Sequence, residues 1–335
     1  MDYKIEPNAR CLVVGYGSWA TALVKILHEN ETLTGWYIDH PEVFDSVHTC
    51  GRNSQYLSEV QFDTTRLVLY NDINAAVEAA DIVLLCVPSA YLLPMIEPLR
   101  VSLDGKFVLS AIKGIIPGDY VTVAEYVNER YGVGWDRIGI LCGPTHSEEV
   151  ALGRLTYITM VGKSLDNAET LCGKLRSGYI RANPSTDIYG TEYAEILKNI
   201  YAICAGMADG LGYGDNFMAV LVSNAQMEMS RFLAESYPFE RNTAASAYLG
   251  DLLVTCYSEF SRNRTLGRHI GEGKSVAQAL GSMKMVAEGY YASACIRQVN
   301  KRFGIHMPIA DCVYRVLYEG APVADEIRAL TGELY

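Results

Sequence analysis

Short runs of apolar residues, separated by stretches with helical character, occupy the first part of the chain. The first run is Cys11–Val14, and the later runs are TLTGWYI before Asp39, RLVLY (66–70), DIVLLCVP (81–88), KFVLSAI (106–112), RIGILCG (137–143) and TYITMVG (156–162). Parallel strands that helices cover on both faces have this nearly continuous apolar character. The pattern therefore predicts a doubly wound α/β sheet of the Rossmann type.

The pattern changes near Thr191, where helical periodicity replaces the short runs. Leu197, Tyr201, Cys204 and Ala208 follow one another at one-turn spacing, which predicts an apolar stripe that packs into a helical core. A chain of 335 residues also exceeds the usual size of a single core. We therefore expect an α/β domain over residues 1–190 and an all-α domain over residues 191–335.

A glycine turn, Gly15-Tyr16-Gly17-Ser18-Trp19-Ala20, joins the first strand to a predicted helix over residues 21–27. In a dinucleotide site, the first glycine permits the turn and the second lets a pyrophosphate approach the backbone. A small third residue, here Ala20, lets the helix pack on the strand. Because the helix N-terminus also presents unpaired N–H groups, the turn predicts a dinucleotide-binding domain over residues 1–190. The candidate cofactor contacts are Gly15, Gly17, Ser18, Trp19 and Ala20. The alternative is a tight strand-to-helix turn without a ligand.

Asp39 follows the second predicted strand, roughly 20 residues after the glycines, where an acid can accept hydrogen bonds from a ribose 2′-OH. The alternative is a turn residue before His40-Pro41. Cys86-Val87-Pro88, Lys113-Gly114 and Cys142-Gly143-Pro144 likewise follow strands. Ligands in doubly wound sheets bind beyond the carboxyl edge, so these segments are expected to line one crevice unless they are ordinary turns.

Composition restricts the function classes. The net charge is −11 and there is no local run of Lys and Arg, which argues against a nucleic-acid partner. Nine cysteines stand singly, mostly in apolar runs, which is typical of buried thiols in a reducing compartment. With neither a signal or transit pattern nor an apolar stretch of about 20 residues that could span a membrane, we expect a cytoplasmic protein. No His pair has metal-ligand spacing, so no metal is expected.

Six segments together resemble one enzyme family. They are GYGSWATAL (15–23), AIKGI (111–115), CGPTHSEEVA (142–151), EILKNIYAICAGMADGLGYGDN (195–216), LGDLLVTCYSEFSRNRTLG (249–267) and VAEGYYAS (286–293). In order and spacing they resemble the soluble bacterial type of NAD(P)-dependent glycerol-3-phosphate dehydrogenase. The resemblance implies reversible reduction of dihydroxyacetone phosphate to sn-glycerol 3-phosphate, which supplies glycerophospholipid synthesis. It also implies a substrate-binding helical domain over residues 191–335 and a homodimer.

The resemblance makes Lys198 the proton donor and acceptor. A free lysine has a pKa of roughly 10.4, which is poorly suited to proton exchange near neutrality. We expect burial and two nearby cations, Lys113 and Arg262, to lower it. The alternative is that Lys198 pairs with Glu195 on a helix surface at i,i+3.

Arg262 matches the phosphate clamp of the family, with Asn263 as a further donor; guanidinium groups bind phosphate oxygens in a planar fork. Asp251 matches the acid that hydrogen-bonds the lysine, and its alternative is a helix cap. Lys113 matches a catalytic residue of the family and also a substrate contact. The remaining substrate-side matches are Gly143, Thr145, Asn199, Thr255 and Ser261. The remaining cofactor-side matches are Lys113, Ser147, Arg262, Val286 and Glu288; Glu288 could equally be a solvated acid at a helix start.

Two departures from the family pattern bear on specificity. Asp39 stands where many relatives carry an arginine able to bind a 2′-phosphate, so we expect NAD to be preferred, with NADP as the alternative. Thr145-His146-Ser147 stands in place of Ser-Phe-Ala, which makes His146 either an acid–base candidate or a solvent-facing or packing residue.

Two other functions stay open at this point. One is reduction of another small keto or hydroxy acid, because a carboxylate could also bind Arg262. The other is a catalytically idle nucleotide sensor, which would be expected to lack the lysine pair or Asp251.

Overall fold

The structure is a computed structural model, which describes residues 3–30, 33–283 and 285–335. Two compact units divide the chain: Met1–Ile112 with Val123–Ile188, and Lys113–Thr122 with Tyr189–Tyr335. The predicted boundary near Gly190 therefore needs one correction. Residues 113–122 belong to the second unit, because Lys113 pairs with Glu195 and hydrogen-bonds with Asn199.

The first unit is built on an eight-stranded sheet with the order β3-β2-β1-β4-β5-β6-β7-β8. The strands are β1 Cys11–Val14, β2 Thr34–Tyr37, β3 Leu67–Tyr70, β4 Ile82–Leu85, β5 Phe107–Ser110, β6 Ile138–Cys142, β7 Thr156–Gly162 and β8 Ile180–Ser185. Neighbours from β3 through β6 are parallel, which confirms the predicted Rossmann-type sheet. Because β1 to β6 share one direction, the segments after β1, β2, β4 and β6 lie along one edge.

The last two strands differ from the sequence prediction. β7 pairs antiparallel with β6, and β8 pairs parallel with β7. The polar sequence of β8, IRANPS, contains Pro184 and gave no strand signal. A proline lacks a backbone N–H and is tolerated in a sheet at an edge strand, which is where β8 lies.

Helices connect these strands. They are α1 Ser18–Asn30, α2 Pro41–Cys50, α3 Ile73–Ala79, α4 Ser89–Ile96, α5 Val123–Tyr131, α6 Ser147–Ala151 and α7 Leu165–Leu175, with 3₁₀ turns at Thr64–Arg66 and Trp135–Arg137. The core contains Val13 of β1, Leu23 of α1 and Trp36 of β2, all fully buried. Helix α1 packs on both β1 and β2, which places its N-terminus directly after the glycine turn.

The second unit is helical, as predicted. Its helices are α8 Ile188–Gly210, α9 Asp215–Ser236, α10 Asp251–Tyr257, α11 Arg262–Gly271, α12 Val276–Gly281, α13 Glu288–Asn300, α14 Pro308–Tyr318 and α15 Val323–Thr331; a π-helical turn, Ser246–Gly250, precedes α10. Every residue from 191 to 208 is buried. The stripe from Leu197 to Ala208 therefore packs into the helical core, as predicted, but the other faces of α8 are buried as well.

Helices α8 and α11 contact each other through their backbones. A Cβ atom on Gly206 would lie 2.0 Å from the carbonyl oxygen of Arg264, and one on Gly267 would lie 2.0 Å from that of Ile203. No real Cβ approaches another atom so closely, so both helices need glycine at this crossing. The crossing fixes the position of α8, which carries Lys198, against α11, which begins at Arg262.

All nine cysteines are free thiols; eight are buried and Cys50 is exposed. Among the described residues, no helix combines the length and the apolar character that crossing a membrane requires.

Candidate active site

The glycine turn lies between β1 and α1 and has the geometry of a dinucleotide site. Gly15 has a φ of +116°, and a Cβ there would meet the carbonyl oxygen of Cys86 at 2.3 Å, so no other residue fits. A Cβ on Gly17 would meet nothing within 4 Å. Packing within the protein therefore does not require glycine at position 17, whereas a phosphate lying against the backbone would. Ala20 is fully buried, and the first turn of α1 contains no acidic residue that would repel an anion.

Asn53 holds this turn in place and was not found from the sequence. Its buried side-chain amide donates to the carbonyl oxygen of Tyr16 and to the hydroxyl of Thr21, both at 2.8 Å. The Thr21 hydroxyl in turn donates to the carbonyl oxygen of Gly17. No motif around Asn53 indicates this role, because its partners are 32 and 37 residues away in the sequence.

Asp39 lies beyond the end of β2 and is exposed. The backbone N–H of Gly15 donates to the carbonyl oxygen of Tyr37 at 3.2 Å, which ties the glycine turn to the end of β2. The rings of Tyr16 and His40 are 5.4 Å apart between centroids. The glycine turn, the N-terminus of α1 and an exposed acid beyond the neighbouring strand together fit a dinucleotide.

The segment after β6 contains the other predicted residues of the first unit. Gly143 has a φ of +119°, and the Thr145 hydroxyl donates to its carbonyl oxygen at 3.2 Å. His146 precedes the short helix α6 and does not cap it with its side chain. Ser147 is buried and its hydroxyl donates to Glu148.

Lys198, on α8, lies between two carboxylates of the second unit. Its Nζ atom donates a hydrogen bond to Asp251 and lies 2.9 Å from Oε2 of Glu195. The side chains of all three residues are 2% exposed. Oε2 of Glu195 is also 3.7 Å from Nζ of Lys113, whose side chain is 23% exposed. Two ammonium groups and two carboxylates therefore form one charge cluster, in which Lys198 and Asp251 meet as predicted.

The expectation of a lowered lysine pKa is wrong. Burial does lower the pKa of Lys198, but the charges of Asp251 and Glu195 outweigh burial and raise it above the ordinary value. For Glu195, burial is outweighed by the charges of Lys198 and Lys113, which lower the pKa of its carboxyl group. The pKa of Asp251 is raised by burial and then by the charge of Glu195. Lys198 is therefore an ammonium group at neutral pH, the state that can donate a proton.

A chain of amide hydrogen bonds connects four segments of the second unit. The Asn199 side-chain amide donates to the carbonyl oxygens of Lys113 at 3.2 Å and Glu195 at 3.0 Å. Its oxygen accepts from Nδ2 of Asn263 at 2.8 Å, and Oδ1 of Asn263 accepts from the N–H of Gly289 at 2.9 Å. Both amide hydrogens of Asn199 are thus used within the protein, so this residue acts on the arrangement of its neighbours.

Arg262 begins α11, directly after the N-cap Ser261, whose hydroxyl accepts from the N–H of Arg264. The Arg262 guanidinium makes no hydrogen bond or ion pair with any part of the chain that the structure describes. It is therefore available for an anionic ligand. Thr255 is buried, and its hydroxyl donates to the carbonyl oxygen of Asp251 at 2.6 Å.

Val286 and Glu288 precede and begin α13, where both are partly buried. The next residue, Gly289, is the end of the amide chain, and a Cβ there would meet the carbonyl oxygen of Asn199 at 2.5 Å. The structure therefore brings the backbone of this segment against Asn199 and Asn263.

From the sequence, Glu195 is expected on a helix surface, which is wrong. It pairs with Lys198 as the alternative interpretation proposed, but in the interior and not on a helix surface. Glu195, Lys198 and Asn199 lie on one face of α8, a pattern typical of a solvent-facing side, but the structure buries that face as well. Charged residues inside a buried helix must pair with one another.

No group of three or more His, Cys, Asp or Glu side chains that could hold a metal ion occurs within residues 3–30, 33–283 and 285–335.

Comparison with known proteins identifies the family. The N-terminal model of NAD-dependent glycerol-3-phosphate dehydrogenase matches residues 10–168, and the C-terminal model matches residues 187–328. A protein from Prosthecochloris aestuarii named glycerol-3-phosphate dehydrogenase, NAD(P)+, is 35% identical over 317 residues, 94% of this chain and 95% of that protein. A protein of the same name from an Exiguobacterium species is 35% identical over 96% of this chain and 95% of its own length.

Solved structures agree with the sequence matches. The crystal structure of glycerol-3-phosphate dehydrogenase from Coxiella burnetii has a TM-score of 0.88 and 26% sequence identity, and it covers 97% of this chain and 99% of its own. The two family models and the relatives span both the sheet and the helices that carry the site. The chain belongs to the NAD-dependent glycerol-3-phosphate dehydrogenase family.

Proposed function

We propose that the protein reduces dihydroxyacetone phosphate to sn-glycerol 3-phosphate with NADH, reversibly. The observation that carries the proposal is the charge cluster around Lys198, a buried ammonium group held between Glu195 and Asp251. Reduction of a ketone develops negative charge on its oxygen, and a positioned proton donor lowers that barrier. The alternative of a catalytically idle sensor lacks support, because Lys113, Lys198 and Asp251 are all present and belong to one charge cluster.

The glycine turn around Gly15 and Gly17, with Asp39 beyond β2, would hold NADH, which would supply a hydride for the carbonyl carbon of the substrate. The electron pair of the C=O double bond moves to the oxygen, which takes a proton from Nζ of Lys198 and becomes the hydroxyl group. Asp251 accepts a hydrogen bond from the ammonium group and orients it beforehand. In the reverse direction, neutral Lys198 takes the hydroxyl proton.

Arg262 is proposed to bind the substrate phosphate. Its guanidinium lies at the start of α11, where the positive end of the helix also favours an anion. A planar guanidinium can bind two phosphate oxygens at once. A carboxylate could use the same residue, so the phosphate preference needs a direct substrate comparison.

NAD is the proposed cofactor in preference to NADP. Asp39 is exposed beyond β2, where a carboxylate accepts from ribose hydroxyls and repels a 2′-phosphate. The names of the relatives include both cofactors, so the family alone leaves the preference open. The homodimer, the cytoplasmic location and the supply of glycerophospholipid synthesis stay predictions.

Substrate-dependent oxidation of NADH tests the function. We expect turnover with dihydroxyacetone phosphate, a lower kcat/KM with NADPH, and little turnover with unphosphorylated keto acids such as pyruvate. Lys198→Ala is expected to lower kcat at least about a hundredfold, because the proton donor is lost, while NADH binding measured by fluorescence is kept.

Lys301→Ala is the matched control, since Lys301 is an exposed lysine of the same unit. It should have the wild-type kcat. Equal or better turnover of an unphosphorylated keto acid would replace the proposed substrate, and near-normal turnover of Lys198→Ala would remove Lys198 from the reaction. A clear preference for NADPH would contradict the role given to Asp39.

A further inference from the structure

Glu195 is a buried carboxylate that lies close to two lysines. One oxygen, Oε2, lies 2.9 Å from Nζ of Lys198 and 3.7 Å from Nζ of Lys113. The two lysines belong to different segments, α8 and residues 113–122. A single buried carboxylate therefore bridges the cation assigned to proton transfer and a second, partly exposed cation.

We propose that Glu195 is a positioning residue that holds Lys198 in its ammonium form and aligns it with Lys113. The inference rests on the proposed function and deepens it, because it concerns the proton state of the same lysine.

The charges around Glu195 support this role. Lys198 faces it from its own helix, Lys113 from the 113–122 segment, and Asp251 from α10. The pKa of Glu195 is lowered and that of Asp251 is raised, so Glu195 is the carboxyl group that keeps its negative charge beside the two lysines. Without that charge the two ammonium groups would share a buried site with less compensation, which favours loss of a proton from a lysine.

Glu195 also differs from Asp251 in its contacts. The Thr255 hydroxyl donates to the backbone oxygen of Asp251 and lies 3.4 Å from Oδ1 of its side chain, while Asp251 itself directly accepts from Lys198. Glu195 is the carboxylate that contacts both lysines. Its backbone oxygen accepts from Asn199, which also holds the backbone of Lys113, so the alignment has a second support.

The pH dependence of each direction tests the proposal. In the oxidation of glycerol 3-phosphate, we expect kcat/KM to rise with pH as Lys198 of the free enzyme loses its proton. Glu195→Gln keeps the size of the side chain and removes the charge. We expect the rise to move at least about one pH unit lower, a tenfold change in the acid dissociation constant. Glu195→Asp keeps the charge and is expected to restore much of the wild-type profile.

A second measurement does not depend on turnover. The ¹³C resonance of the Lys198 side chain, in protein with labelled lysine, reports its protonation directly and is assigned by its absence in Lys198→Ala. The Lys198 titration is expected to move in the same direction in Glu195→Gln. Glu228, buried on α9, provides the matched control, because Glu228→Gln also removes a buried carboxylate. Neither the kinetic pH profile nor the NMR titration of Lys198 should change in this variant.

The outcomes separate the two proposals. Wild-type protein without activity on dihydroxyacetone phosphate overturns the proposed function, and the lysine resonance still decides the role of Glu195. Active wild-type protein with unchanged kinetic and NMR titrations in Glu195→Gln overturns the positioning role alone. A general loss of kcat at every pH, with no shift in either titration, also overturns it, because that is the result of a merely structural residue.

Discussion

Burial and pairing with an opposite charge shift the pKa of a charged residue in opposite directions in this protein. Burial by itself lowers the pKa of Lys198, and two adjacent carboxylates reverse that effect. Glu228 is equally buried, but within the described part of the chain it forms no ion pair, and burial raises its pKa more than the charge of Arg231 lowers it. Its carboxylate accepts from the N–H groups of Ile309 and Ala310 at the start of α14, yet burial raises its pKa to about 7. The partner, more than the burial, decides the protonation state.

Arg262 provides a prediction at this scale. Arg262→Lys keeps the positive charge but removes the planar fork, so we expect the KM for dihydroxyacetone phosphate to rise about tenfold, the equivalent of about 1.4 kcal/mol. Steady-state kinetics with saturating NADH measure this change. Arg302→Lys, at an exposed arginine of the same unit, should leave KM as it is. An unaltered KM in Arg262→Lys would mean that another group binds the phosphate.

At the scale of elements, the crossing of α8 and α11 determines where the site residues lie. Gly206 and Gly210 of α8 face Gly267 and Gly271 of α11, and a Cβ on any of them would lie 2.0 to 2.4 Å from a carbonyl oxygen of the other helix. Glycines weaken an isolated helix. Here they allow a backbone contact that keeps Asn199 within hydrogen-bonding distance of Asn263.

Gly206→Ala tests this crossing. The added methyl group must push the helices apart, and overpacking of this kind costs about 2 kcal/mol or more. We expect a lower free energy of unfolding in urea denaturation and a lower kcat/KM. Gly173→Ala is the control, and its effect on the free energy of unfolding should have the opposite sign. Gly173 is an exposed position of α7, and no described atom lies within 4 Å of the added Cβ. That substitution is expected to stabilise the helix by about 0.5–1 kcal/mol. Equal effects of the two variants would contradict the close crossing.

At the scale of the whole molecule, Glu228 links folding stability to pH. Its pKa is about 7 in the folded chain and 4.5 in the reference state, so the folded chain binds more protons between these values. The contribution of Glu228 to stability is therefore complete below the lower value and declines as pH rises through the folded-state pKa. The decline amounts to at most about 3 kcal/mol.

Thermal unfolding at several pH values tests this linkage. Glu228→Gln cannot ionise, so the fall in Tm between about pH 5 and pH 8 should be smaller than in the wild-type protein. Glu235→Gln changes an exposed glutamate of the same helix and should keep the wild-type fall. A fall of the same size in all three proteins would show that Glu228 does not control this dependence.

Local patterns predicted most of the fold. The runs from Cys11 to Gly162 became strands because buried parallel strands need apolar residues on both faces. The polar edge strand β8 has no such requirement and left no signal. The predicted boundary near Gly190 places the 113–122 segment in the first unit, and only its contacts with Glu195 and Asn199 assign it to the second.

The sequence by itself determined the glycine turn, the doubly wound sheet and the helical second unit, because these depend on local periodicity and on a motif whose chemistry requires particular residue types. Lys198, Asp251 and Arg262 became candidate residues through the resemblance to the family. Only the tertiary structure decided the protonation state of Lys198 and the bridging position of Glu195. Electrostatic effects depend on distance and burial, and those are set by segments that lie far apart in the chain.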